Sequence, residues 1–273
     1  METKLFPDAV SIIHRAHWTI SPRRRRIFFK EFAGALVKLI SARSQAGLVR
    51  YFSAFLVFLP IIIRNAMRKA EKQIPLRIRG LRRSELPVDT LDLARYLIGK
   101  TLVHDASQTR LSGRIVETEA YPVGDAAGHA FRGETPSIRS LFLPHGHAYV
   151  YFTYGSCFMM NVSSETRGVG AGVLIRAVEP LEGIAYMEQK RRTKRLLDLT
   201  RGPGRLTQAM NIDKKLDGLH LCSGGKIWLG DSVRIPGPVG ASVRIGINRE
   251  MDKLYRFYER GNPFVSGLKR MRE

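Results

Sequence analysis

The chain of 273 residues has little cysteine, little acid and no long apolar run. Its two cysteines, Cys157 and Cys222, stand far apart and in no metal-like spacing, so neither a disulfide framework nor a zinc site is indicated. A reducing, cytoplasmic compartment is the default for such a chain. The one membrane candidate, residues 51–63, contains Ser53 and Pro60 and is closed by Arg50 and Arg64. It falls short of the ~20 residues a spanning helix needs. Arg25 and Arg26 resemble the start of a twin-arginine export signal, but Lys38 and Arg43 interrupt the apolar region that should follow. Asp and Glu number 24 against 45 Lys and Arg, a formal charge of +21. That imbalance favours a polyanionic partner, either nucleic acid or an anionic membrane surface. With 44% hydrophobic residues the chain can bury a sizeable core, which excludes disorder throughout.

Residues 1–80 differ in texture from the rest and read as a basic, partly helical N-terminal extension marked by Arg23, Arg24, Arg25 and Arg26. A compact domain is expected over 81–273. Asp89 or Thr90 can cap a helix running to Ile98 with Gly99 as its stop. Strands are predicted over 100–104, 110–121, 148–154, 158–162, 173–175, 226–229 and 243–247 and near 264–265. Helices are predicted over 181–195, where a cationic end suits the helix dipole, and 206–210. The long polar loop 122–139 is too long for a simple connection. Gly202-Pro203-Gly204-Arg205 opens the second of these helices, and its free amides beside Arg205 suit a phosphate clamp or a plain helix-start turn.

Arg114-Ile115-Val116-Glu117-Thr118-Glu119-Ala120-Tyr121 organises the domain. In a regular strand Ile115, Glu117, Glu119 and Tyr121 share one face while Val116, Thr118 and Ala120 share the other. One face can then hold chemistry and the other pack, unless the two carboxylates merely solvate an edge. Tyr151 and Tyr154 are three apart, so work at one site requires the strand to end or bulge near Thr153, where Gly155 supplies a break. His145-Gly146-His147 has no third ligand nearby and reads as a turn rather than a metal pair.

Taken together, Glu117 to Tyr121, Gly128-His129-Ala130-Phe131-Arg132-Gly133, Tyr149 to Gly155, Asn161, Arg176 to Pro180, Gly202-Pro203-Gly204 and Arg256 to Ser266 resemble the alkyladenine (3-methyladenine) DNA glycosylase family, over about residues 85–270. The resemblance implies a single mixed α+β domain, with a curved, mainly antiparallel sheet flanked by helices. It implies a monofunctional, metal-free and cofactor-free enzyme that excises alkylated or deaminated purines from double-stranded DNA, as a monomer with no obligate protein partner. Glu119 would be the general base that activates water for attack on the sugar carbon. Tyr121, His129 and Tyr151 would line the pocket for the flipped base, Asn161 its floor, and Arg176 would support the site. Tyr154 would wedge into the duplex, and Arg132, Thr135, Gly204 and Arg205 would meet the DNA backbone. Ser137 and Ile138 stand where many members carry Arg-Asn, and Ser156 and Cys157 replace a bulky pair, which touches DNA contacts more than chemistry. The competing readings are a non-enzymatic nucleic-acid-binding module and a membrane-associated basic protein built on residues 23–72.

Overall fold

The computed structural model describes residues 77–106, 109–153, 155–222 and 224–267. The expectations for residues 1–76, including the 51–63 segment, and for Tyr154 lie outside the described residues. Asp89 caps helix α1 (Thr90–Leu97) by accepting from the Leu91 and Asp92 amides at 2.8 and 2.9 Å, and Gly99 leaves it with φ 87°. Strands β1 (Thr101–Ala106), β2 (Thr109–Tyr121), β3 (Ala148–Thr153), β4 (Cys157–Ser163) and β5 (Gly172–Glu182) follow. Next come helices α2 (Ile184–Arg191), α3 (Leu197–Thr200) and α4 (Pro203–Ala209), then β6 (Ile227–Gly230), β7 (Val239–Ser242) and β8 (Arg256–Glu259). These eight strands form one curled antiparallel sheet in the order β3-β4-β5-β2-β1-β6, with β8 on β2 and β7 on β8. The fold is α+β, with a few helices against the sheet.

One face carries the main core, where Leu93 and Leu97 of α1, Met187 of α2, Leu199 of α3 and Leu206 of α4 meet Val150, Met160, Val173, Ile175 and Ala120. The alternate residues of the same strands, Tyr149, Tyr151, Asn161, Leu174 and Arg176, line a cavity instead. β2 departs from strict alternation. Its register against β5 runs Ile115↔Val178, Glu117↔Ala177, Thr118↔Ile175, so Val116 is an extra residue on β2 and Arg176 one on β5. Ile115 therefore lies in the main core with Ala120, rather than on the face of Glu117 and Glu119, while Val116 packs with Ala177, Tyr258, Phe264 and Val265 in a smaller cluster.

Three element boundaries differ from the sequence pattern. The helix expected over 181–195 is shorter, because Leu181 and Glu182 continue β5 and Arg192 ends α2 in a left-handed conformation, φ 51°. Residues 243–247 are not a strand. Their polar groups go to side-chain partners described below, and β7 precedes them. Residues 264–265 form a turn in which Asn262 Oδ1 accepts from the Phe264 amide at 2.9 Å, and the nearby strand is β8.

Candidate active site

The paired bulges bring Arg176 between Glu117 and Glu119, with Nε 3.0 Å from Glu117 Oε1 and Nη1 3.0 Å from Glu119 Oε2. All three groups are buried, yet the carboxylates are not equivalent. Glu117 Oε1 also accepts from Arg256 Nε at 2.7 Å and Ser266 Oγ at 2.8 Å, and its Oε2 from the Ser266 amide at 2.6 Å. Burial alone would raise its pKa, but the guanidiniums of Arg176 and Arg256 and the Ser266 amide outweigh it and hold the group below the usual carboxylate range. Glu119 accepts from the Ile245 amide at 2.7 Å on Oε1 and from the Tyr121 hydroxyl at 3.1 Å on Oε2. Burial also lowers the Arg176 pKa in isolation, but Glu119 and Glu117 reverse the sign, so it stays cationic.

Tyr121, Arg176 and Ile245, the partners of Glu119, all line a cavity of about 470 Å³. Its aromatic wall comes from β3 and the 129–132 turn. Tyr149 and Tyr151 stack with ring centroids 5.2 Å apart, and His129 meets Tyr151 edge-on at 4.4 Å. His129 Nδ1 lies 2.8 Å from the Tyr149 hydroxyl. Burial lowers the His129 pKa, which favours the neutral ring near pH 7, and burial raises that of Tyr149, which keeps the phenol protonated. The phenol can then donate to Nδ1 and leave Nε2 carrying the proton. The Tyr121 phenol is raised in the same way, by burial and then by Glu119. Asn161 is buried beneath this wall and its Nδ2 donates to the Tyr149 carbonyl at 3.4 Å.

Glu119, Tyr121, His129, Tyr151, Asn161 and Arg176 thus come together around one cavity. Arg132 and Thr135 are exposed on the loop beside it, with Thr135 Oγ1 3.1 Å from Ser137 Oγ. Arg205 is exposed on α4 and pairs with Asp198 at 3.2 Å. Gly204 has a packing reason of its own: a Cβ there would lie 2.8 Å from Cys157 Sγ. Ile138 faces inward against Leu141 and Tyr149. Sequence reasoning missed the parts played by Tyr149, Arg244 and Ile245. The spacing of Tyr149 two residues before Tyr151 could have exposed the first; nothing in the sequence marks the other two. Among the described residues no group of three or more His, Cys, Asp and Glu side chains is arranged to hold a metal ion.

Residues 84–263 match the family described as Methylpurine-DNA glycosylase (MPG). A relative from Mesorhizobium japonicum is 60% identical over 191 residues, 70% of this chain and 92% of its own. One from Paraburkholderia phytofirmans is 52% identical over 205 residues, 75% of this chain and 94% of its own. A third, from Chlorobaculum tepidum, is 44% identical over 180 residues, 65% and 86% of the two chains. All three bear the name "Putative 3-methyladenine DNA glycosylase". The class so defined is that of hydrolases acting on N-glycosyl bonds in DNA, enzymes of DNA repair. The chain belongs to the methylpurine-DNA glycosylase family.

Proposed function

We propose that the protein is a monofunctional glycosylase that takes alkylated or deaminated purines, of the 3-methyladenine, 7-methylguanine and hypoxanthine class, out of double-stranded DNA and releases them by attack of activated water on the sugar carbon. The observation that carries this reading is the inequality of the two carboxylates. Of the groups that donate to Glu117 only Arg176 lines the cavity, while Arg256 and Ser266 tie it into the fold; all three that donate to Glu119, Tyr121, Arg176 and Ile245, line the cavity. As the base, Glu119 removes a proton from water and opposes the positive charge that develops on the sugar.

Duplex DNA hides the glycosidic bond, so the base must leave the stack. Tyr121, Tyr151 and His129 offer it faces to stack on, and an alkylated purine carrying positive charge gains cation–π attraction there. In the tautomer that accepts from the Tyr149 hydroxyl at Nδ1, His129 Nε2 carries a proton that suits an acceptor on the purine edge, and buried Asn161 suits discrimination at its other side. The family resemblance assigns Tyr154 to the gap left in the duplex, and Arg132, Thr135, Gly204 and Arg205 to the backbone. No lysine lines the cavity among the described residues, which favours water over an amine as nucleophile. Base release from duplexes containing 3-methyladenine, 7-methylguanine, hypoxanthine and ethenoadenine, each with and without borohydride, tests the proposal. Release without a trapped enzyme–DNA adduct is expected; a trapped adduct overturns the water mechanism, and no release from any of the four overturns the substrate class.

A further inference from the structure

Two loops that are far apart in sequence both line the cavity: Gly124, Asp125 and Gly128 from the segment after β2, and Ile245, Gly246 and Asn248 from the segment after β7. Arg244 joins them. Its guanidinium forms a buried ion pair with Asp125, whose side chain is 1% exposed against 0% for Arg244. Nη2 lies 3.1 Å from Asp125 Oδ1 and 3.4 Å from the Glu250 carbonyl, and Nη1 donates to the Ala120 carbonyl at 2.9 Å as well as to Asp125 Oδ2. The group also lies over the Tyr121 ring at 4.7 Å and the Tyr255 ring at 5.3 Å. Asp125 is fixed in turn, since its Oδ1 accepts from the Ala127 amide at 2.9 Å and its carbonyl from the Gly128 amide at 2.9 Å. The residue next to Arg244 is Ile245, whose amide donates to Glu119 Oε1 at 2.7 Å.

We propose that Arg244 is a positioning residue for N-glycosyl hydrolysis: clamped to Asp125 and to the end of β2, it holds the Ile245 amide on Glu119 and the Tyr121 ring against the same carboxylate. The proposal rests on the reading of Glu119 as the base. It does not require Arg244 to touch DNA, and its buried guanidinium has no route to do so. Surface arginines act on DNA through phosphate contacts and alter affinity, whereas this one acts on the geometry of a proton acceptor and alters the rate of the bond-breaking step. A displacement of about 1 Å at a reacting group is enough to cost on the order of 100-fold in rate.

The test compares Arg244→Gln, Asp125→Asn and Ile245→Pro in the full chain, measuring single-turnover excision under saturating enzyme, lesion-duplex affinity and thermal unfolding. Arg244→Gln removes the clamp, Asp125→Asn weakens it while keeping an acceptor for the Ala127 amide, and Ile245→Pro deletes the amide proton that reaches Glu119 while also fixing the backbone at that position. Arg244→Gln and Ile245→Pro are expected to slow single-turnover excision about 10- to 100-fold, Asp125→Asn less, with affinity within about threefold of the parent. Because both remove the same hydrogen bond from Glu119, the losses in the Arg244→Gln/Ile245→Pro double variant should not multiply. Should Arg244→Gln, which strands a buried carboxylate, fail to melt cooperatively, the other two variants decide. Rate and affinity falling in parallel, or unchanged rates in all variants beside an inactive Glu119→Gln, overturn the clamp alone. Normal excision by Glu119→Gln overturns the base assignment and the clamp with it.

Discussion

Replacing Glu117 by Gln and Glu119 by Gln removes the same charge from the same strand, and the two changes should act on different properties. Glu117 is the shared, buried counter-charge of Arg176 and Arg256, so Glu117→Gln removes one negative charge from beside two guanidiniums. Breaking such a buried network costs about 3–5 kcal/mol, and thermal unfolding should show it as a clear drop in melting temperature. Glu119→Gln keeps the shape and one acceptor oxygen, which can serve either the Ile245 amide or Arg176 and Tyr121, but cannot take a proton, so the protein should fold and bind lesion duplex while single-turnover excision falls by several orders of magnitude. Unimpaired melting in Glu117→Gln, or unimpaired excision in Glu119→Gln, would reverse the two assignments. That Glu117, Glu119 and Tyr121 share a face was legible from alternation alone. Which carboxylate is tied into the fold was not, because Arg256 and Ser266 reach Glu117 from a segment about 140 residues away. Arg244 was illegible for a related reason: a single arginine between Val243 and Ile245 reads as the outward position of a strand, and only its partner Asp125 reveals that it points inward.

At the scale of elements, α4 and β4 meet where Thr207 Oγ1 donates to the Phe158 carbonyl at 2.7 Å and Gly204 lies over Cys157. Two effects oppose each other in Gly204→Ala. Alanine gains up to about 1 kcal/mol in helix propensity, less in a first turn, while its Cβ would sit 2.8 Å from Cys157 Sγ and 3.2 Å from Cys157 Cβ. Overpacking of this kind costs about 1–3 kcal/mol, so the contact should win and Gly204→Ala should lower the melting temperature. In a Cys157→Ala background the 2.8 Å contact is gone and only the 3.2 Å contact to Cβ remains, so the same change should cost clearly less. An equal loss in both backgrounds would mean that the glycine serves something other than this contact. The elements themselves were largely readable: α1 from its Asp89 cap and Gly99 stop, and β1 to β4 from apolar runs bounded by turns. The bulges of β2 and β5 were not, because Val116 and Arg176 are ordinary strand residues by composition and their displacement exists only in the pairing of the two strands.

For the whole molecule, charge and its titration set the expectations. Residues 1–76 hold 14 of the 45 Lys and Arg and four of the 24 Asp and Glu, which leaves residues 77–273 at +11. The Leu81 amide donates to the Leu229 carbonyl at 2.9 Å, and Arg79 pairs with Glu85 and Asp231, so a shortened chain should begin at Arg77 rather than after these contacts. Such a chain should excise bases, and its log affinity for duplex should fall less steeply with log salt than that of the full protein; equal slopes would mean that the extension's cations do not meet DNA. Acid should act on the folded state in two stages. Burial lowers the imidazole pKa at His129, His147 and His220, so between the unfolded value of about 6.5 and the lower folded values the unfolded chain binds more protons. Stability therefore rises with pH in that window, is fully present above it, and is lost as pH falls. Glu117 and Glu259 act in the same direction further down. At both, burial by itself raises the pKa, but Arg176 and Arg256 around the first and Arg114 beside the second bring it below the ordinary value. Their contribution is present above about pH 4.5 and disappears as pH falls through the folded values. The melting temperature should be level from pH 8 to 7, decline below about 6.5 and decline again below about 4.5, and His129→Gln should shrink the first decline without moving the second. A melting temperature that stays constant down to pH 5 would mean that the three imidazoles are not held neutral by burial.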